Sequence, residues 1–65
     1  MNQDQFAGKW KQMKGKAKAR WGKLTNDDLD RIDGKIEQLV GIIKEREGIA
    51  KEEAQRQVDE FYRNS

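Results

Sequence analysis

An internal repeat restricts the possible architectures of this 65-residue chain more than any other feature of its sequence. Residues 8–22, GKWKQMKGKAKARWG, align without gaps to residues 34–48, GKIEQLVGIIKEREG, and seven of the fifteen positions are identical. The identities include all three glycines of each segment, which are spaced by seven residues. A repeat of this kind is typical of a duplicated supersecondary unit. It predicts a repeated helical unit ended by a glycine, and hence two packed helical hairpins.

The spacing of apolar residues predicts helix along the whole chain. Separations of three and four residues recur, no segment alternates apolar and polar residues as a strand would, and Pro is absent. The sequence therefore predicts an all-α fold, a small bundle of three to four helices in one domain over residues 1–65. The apolar side chains expected in its core are Phe6, Trp10, Met13, Ala17, Trp21, Leu24, Leu29, Ile32, Ile36, Leu39, Ile43, Ala54, Val58 and Phe61.

Local signals predict the ends of the first helices. We expect the first helix over about residues 3–21, with Gly22 as its C-terminal cap. A second helix is expected to begin at residues 25–28, TNDD, because a hydroxyl at the N-cap and a carboxylate three residues later form a capping box.

The second apolar stripe is expected to continue to a cap at Gly48, and the sequence leaves open whether Gly34 divides it into two helices. A final helix is predicted over about residues 51–63. Ala50 stands at its N-cap, where Ser or Thr would accept a backbone N–H, so this helix start is expected to lack a side-chain cap.

Four glycines lie opposite the apolar stripes on a helical wheel and are expected to face solvent. Gly in a helix interior is about 1 kcal/mol less favourable than Ala, and a chain this short without Cys has little stability to spare. The sequence predicts that Ala at all four positions raises the melting temperature. The positions are Gly8, Gly15, Gly34 and Gly41.

Composition argues against an enzyme. The chain has no His and no Cys, which removes the usual general base, the thiolate nucleophile and the common zinc ligands, and its one Ser is Ser65. Asn26, Asp28 and Asp30 have calcium-loop spacing, but Arg31 stands where the loop needs Gly. We therefore expect no catalytic residues, no cofactor and no metal.

The longest apolar stretch is far shorter than the ~20 residues of a membrane span, so a cytoplasmic protein without a transmembrane segment is expected.

The charge is divided unevenly along the chain. Residues 1–24 carry seven basic residues and one acidic residue, a charge of +6, whereas residues 25–65 carry seven basic and eleven acidic residues, a charge of −4. The basic residues are predicted to flank the first apolar stripe, with Lys9, Lys16, Arg20 and Lys23 on one edge and Lys11, Lys14 and Lys18 on the other.

Three interpretations of these seven cations remain open. They solvate the helix, they contact the phosphates of nucleic acid or of an anionic membrane surface, or they dock on acidic residues 27–33 of the same or another copy. Trp10 and Trp21 lie beside one basic edge, but rings at core-compatible positions are expected to be buried in a chain that needs their area. The specific partner and the oligomeric state are not determined by the sequence.

Five segments of the chain follow one family pattern: GKWKQMKGK at residues 8–16, RWGKLTNDDL at 20–29, Gly34-Lys35, QLVG at 38–41 and KEEA at 51–54. Through these segments the chain resembles the CsbD-like family of small bacterial general stress-response proteins. The resemblance implies a bundle similar to folds with two orthogonally packed hairpins, and expression under general stress. It implies no known activity and no site residues. High Gly content with strong hydrophilicity also resembles hydrophilins, which protect other proteins during water loss. The leading hypothesis is therefore a non-enzymatic stress protein of this type, and the alternative is a nucleic-acid or anionic-surface binding module.

Overall fold

The computed structural model describes residues 2–65 and places four α-helices within them. This confirms the predicted all-α bundle. α3 packs against each of the other three helices, and the buried side chains form one continuous core. The helices are α1 (Gln3–Arg20), α2 (Asn26–Ile32), α3 (Ile36–Glu47) and α4 (Lys51–Arg63).

The end of α1 differs from the prediction. Trp21, not Gly22, is the C-cap, in an extended conformation with φ −121° and ψ 90°, and Gly22 lies in the following turn without a positive φ. The Trp21 ring packs edge-to-face on Phe61 with centroids 4.9 Å apart, and its Nε1 donates a hydrogen bond of 2.9 Å to Gln57. Gly22 as a cap was therefore wrong, because the helix ends where Trp21 turns into the core.

The break between α2 and α3 answers the question that the sequence left open at Gly34. Asp33 and Gly34 adopt consecutive left-handed conformations, with φ values of 46° and 75°, which end α2 and divide the stripe into two helices. Gly34 is buried, and a Cβ placed on it would lie 3.3 Å from the Cα of Ala7. The prediction that Gly34 faces solvent was therefore wrong, because this glycine lies where the α2–α3 connection meets α1.

The start of α3 is capped by a residue distant in sequence. Lys35 provides no side-chain cap, but Gln3 of α1 accepts a hydrogen bond from the Ile36 amide at 2.9 Å and donates one to the Gly34 carbonyl at 2.7 Å. The other end of α3 follows the prediction, since Gly48 is a left-handed C-cap with φ 64°.

Two other predicted ends are also confirmed. The Thr25 capping box is present at the start of α2, and α4 spans Lys51–Arg63 with no side-chain cap from Ala50.

The repeat places equivalent residues on the core side of α1 and α3. Met13 aligns with Leu39 and Ala17 with Ile43, and all four are buried. The repeated glycines differ, because Gly8 lies within α1 whereas its counterpart is the buried glycine of the α2–α3 connection.

Candidate functional site

The seven predicted cations lie on α1 and on the turn that follows it. Six belong to the helix, but Lys23 lies beyond its end at Arg20, so the placement of Lys23 on the helical wheel was wrong. The set is exposed apart from Lys14, which is half-buried. We call these seven residues the α1 cation surface: Lys9, Lys11, Lys14, Lys16, Lys18, Arg20 and Lys23.

One edge of the α1 cation surface docks on α2 of the same chain. The Lys14 Nζ lies 3.2 Å from the Asp30 carboxylate, and the Lys18 Nζ donates a hydrogen bond of 2.9 Å to the Asn26 side chain. Exposed pairs of this kind stabilise a fold by less than about 1 kcal/mol. Part of the basic segment thus contacts the acidic segment that the third interpretation named.

The remaining cations have no carboxylate partner among residues 2–65. The Lys9 ammonium lies 5.0 Å from the centre of the Tyr62 ring, and the Arg20 guanidinium lies 5.2 Å from that of Trp21. Cation–π contacts leave the positive charge available to solvent and to other molecules. Six of the seven cations therefore keep their charge uncompensated by a neighbouring carboxylate.

The aromatic and apolar groups of α1 are not available to a partner. Trp10 and Trp21 are 7% and 2% exposed, and Phe6, Met13 and Ala17 are buried with them. This confirms that both tryptophans belong to the core.

None of the helices in the described part of the chain, residues 2–65, is long and apolar enough to cross a bilayer.

The buried carboxylate of Asp28 is the centre of an ionic cluster that the sequence did not reveal. Arg46 of α3 donates two hydrogen bonds to the carboxylate, of 2.9 and 2.8 Å, and Arg31 donates a third of 2.7 Å. The backbone N–H of Thr25 donates a fourth, of 3.0 Å. The capping box identified Asp28 as an acceptor and Arg31 lies three residues away, but no local pattern points to Arg46, eighteen residues later. The carboxylate is fully occupied by these donors and is not arranged as a calcium ligand.

The cluster shifts the pKa of the Asp28 carboxyl well below its ordinary value. The Arg46 hydrogen bonds are the main cause, and the Thr25 N–H and Arg31 act in the same direction, while burial opposes them. On α4, hydrogen bonds from Arg56 and then Gln57 lower the pKa of Glu53 from 4.5 to about 2. Both carboxylates are therefore stabilised in their charged form by the folded structure.

Acid is expected to destabilise the fold through these two groups. Because both pKa values are lower in the folded state than in the unfolded chain, their contribution to stability is complete above about pH 5 and declines as pH falls toward 2. Urea midpoints measured at pH 7, 5, 4 and 3 should be similar at the first two values and fall at the last two. The variant Asp28→Asn should show a weaker decline, and a midpoint that rises on acidification would contradict this assignment.

A second polar network joins α4 to the end of α1. Gln57 accepts the hydrogen bond from Trp21 and donates one of 2.9 Å to Glu53, which also binds Arg56 through both carboxylate oxygens at 2.9 and 2.6 Å. Arg56 reaches Glu60 at 3.2 Å. The network orients the indole of Trp21 and holds the polar side of α4 in place.

One surface hollow lies between α3 and α4. The hollow between α3 and α4, of about 580 Å³, is lined by one carboxylate, Asp59, which accepts a hydrogen bond from Gln55. Its neighbour Glu60 binds Arg56 instead, so the two adjacent carboxylates point to different partners. Their arrangement resembles ordinary helix-surface pairing, not a site for proton transfer.

Comparison with known proteins identifies relatives over most of the chain. The profile of the CsbD-like family matches residues 4–56. A UPF0337 protein of Bordetella pertussis is 60% identical over 62 residues, covering 95% of this chain and 94% of that protein. A UPF0337 protein of Pectobacterium atrosepticum is 62% identical over 58 residues, and UPF0337 protein YjbJ of Escherichia coli K12 is 55% identical over 58 residues; each match covers 89% of this chain and 84% of the relative.

These matches agree with the resemblance carried by the glycine-spaced repeat and the capping-box segment. The similarity extends over nearly the full length of each relative, so it concerns the whole helical bundle and not one motif. The chain belongs to the CsbD-like family.

Proposed function

We propose that this protein serves the bacterial stress response without catalysis, as a cytoplasmic protectant whose folded polar faces make weak contacts with other macromolecules. The family supports the physiological setting. The observation that supports the proposed weak contacts with other macromolecules is the distribution of polar groups. Every buried side-chain nitrogen or oxygen in residues 2–65 has a hydrogen-bond partner inside the chain. The groups left to meet other molecules therefore lie on the surface, and charged residues make up 40% of the whole chain.

The proposal is tested by drying or freezing a labile enzyme, such as lactate dehydrogenase, with this protein and measuring the activity recovered. The matched control is a 65-residue chain of identical composition, shuffled so that the apolar periodicity is lost. We expect the native protein to preserve more activity than the shuffled chain, because the folded chain buries most of its apolar groups and presents mainly polar faces. Equal protection by both chains would assign the effect to composition alone, and no protection by either would overturn the proposal.

A second function is favoured by the α1 cation surface. Six of its seven cations have no carboxylate partner within residues 2–65, although this chain carries twelve acidic residues that could have provided one. A concentrated, uncompensated positive surface attracts polyanions. We propose that this surface contacts anions, and salt-sensitive retention on a heparin column is the simplest measurement of that property. Elution at the salt concentration expected for a chain of charge +2 without clustering would contradict it.

A further inference from the structure

The exposed side of α1 presents two rows of cations. Lys9 and Lys16 lie on one side of the helix, and Lys11 and Lys18 lie on the other. Within each row the two residues are seven apart, which is about 10.5 Å along the axis at 1.5 Å per residue. Together the two rows extend from Lys9 to Lys18, about 13.5 Å along the axis, which is the length of about four base pairs of duplex DNA. The rows therefore form an elongated positive surface, not a single point charge.

The side chains between the two rows are short or neutral. They are Gly8, Gln12, Gly15 and Ala19, all exposed, and a Cβ on either glycine would meet nothing within 4 Å. A large anion can thus approach the helix closely while lysines extend past it on both sides. The lysine rows supply the attraction and the short side chains only permit the approach.

The core excludes two of the ways in which a basic helix binds its partner. Insertion into a membrane surface needs an apolar face, and that of α1 is buried against the other helices. Stacking on unpaired bases needs exposed aromatic rings, and Trp10 and Trp21 are both buried. Attraction to closely spaced phosphates needs neither, and duplex DNA carries one negative charge per about 1.7 Å of its axis.

We propose that the α1 cation surface binds duplex nucleic acid through its phosphates and without sequence preference. The proposal rests on the anion contact proposed above as the second function and names its partner. Base sequence is read by side chains that reach into the major groove, and between the rows only Gln12 is long and polar enough to do so. Lysines that contact phosphates position a protein but carry no sequence information.

The test measures fluorescence anisotropy of a labelled duplex of about 20 base pairs with the full-length protein, at salt concentrations from about 50 to about 200 mM. The variant K11Q/K16Q/K18Q removes three cations of the surface. The matched control K35Q/K44Q/K51Q removes three exposed lysines near α3 and α4, with the same change of net charge. Three phosphate contacts correspond to about a 40-fold loss of affinity over this salt range. We expect the α1 variant to lose this part of the salt dependence, and we expect the control variant to retain it.

Three outcomes would overturn the proposal, and they separate its two parts. Tighter binding to a single strand of the same length, or to vesicles rich in phosphatidylserine, would reject duplex nucleic acid as the partner while keeping the anion contact. An equal loss of binding in the α1 variant and in the control would show that net charge, not this surface, is responsible. No binding to duplex, single strand, vesicles or heparin at the lowest salt would reject the anion contact itself. Circular dichroism of both variants verifies that they remain folded.

Discussion

Replacing Asp28 by Ala should lower the free energy of unfolding by about 2–3 kcal/mol and the melting temperature by roughly 10–20 °C. The carboxylate is fully buried, and it receives hydrogen bonds from Arg46, Arg31 and the Thr25 amide. Its loss removes the ionic contact between α2 and α3 and half of the capping box. Breaking a buried pair typically costs 3–5 kcal/mol, but the side chains of Arg46 and Arg31 are 38% and 59% exposed and can return to water, which reduces the figure.

The matched control for this prediction is Asp27→Ala, one residue earlier in the same first turn. Asp27 is exposed, so its loss removes only a favourable charge near the helix N-terminus, which is worth about 0.3–1 kcal/mol. Thermal unfolding followed by circular dichroism at neutral pH compares the two variants with the parent. Similar melting temperatures for both variants would contradict the role assigned to the buried carboxylate of Asp28. A 65-residue chain has a total stability of about 3–10 kcal/mol, so unfolding of the Asp28 variant at room temperature would agree with the prediction.

The triple variant G8A/G15A/G41A should be more stable than the parent by about 2 kcal/mol, which raises the melting temperature by roughly 8–16 °C. All three glycines lie inside helices, and a Cβ at each would meet nothing within 4 Å. The gain comes from the smaller conformational freedom of Ala in the unfolded chain, without any new contact in the folded state. An unchanged or lower melting temperature would contradict the helical, solvent-facing placement of these residues.

The single variant Gly34→Ala should have the opposite effect. Its φ of 75° costs a residue with a Cβ about 1–2 kcal/mol, and the added carbon would lie 3.3 Å from the Cα of Ala7. We expect a melting temperature lower by roughly 5–15 °C. The variant Gly48→Ala separates the two causes, since Gly48 also has a positive φ but has open space around it. A smaller loss at Gly48 than at Gly34 is expected, and equal losses would mean that the contact with α1 contributes nothing.

The glycines show how far a helical wheel can be relied on. A wheel assumes that the helix continues, and at Gly8, Gly15 and Gly41 it does, so their predicted exposure is confirmed. At Gly34 the chain leaves the helix, so the wheel angle has no meaning there. The prediction that Gly22 caps α1 was wrong for a related reason, because Trp21 turns into the core and itself occupies the C-cap position.

The α1 cation surface was predicted as a set of residues but not as an arrangement of partners. Helical spacing identified the exposed side of the helix. It did not show that Lys14 pairs with Asp30 or that Lys9 lies over Tyr62, because these contacts depend on how α1 packs against α2 and α4. The same packing buries both tryptophans and so excludes base stacking at this surface.

The amino-acid sequence alone determined the helical class, the span of α4 and most of the core, although it omitted the buried Val40 and Ile42 and included the half-buried Ile36. It also determined the capping box at Thr25 and the cap at Gly48. These features depend on residues within about four positions of each other, since helical hydrogen bonds and caps are local. Only the tertiary structure decided the Arg46 contact with Asp28, the Gln3 cap on α3 and the burial of Gly34. Each of these joins segments 18 or more residues apart, so it exists only once the apolar faces have packed and brought those segments together.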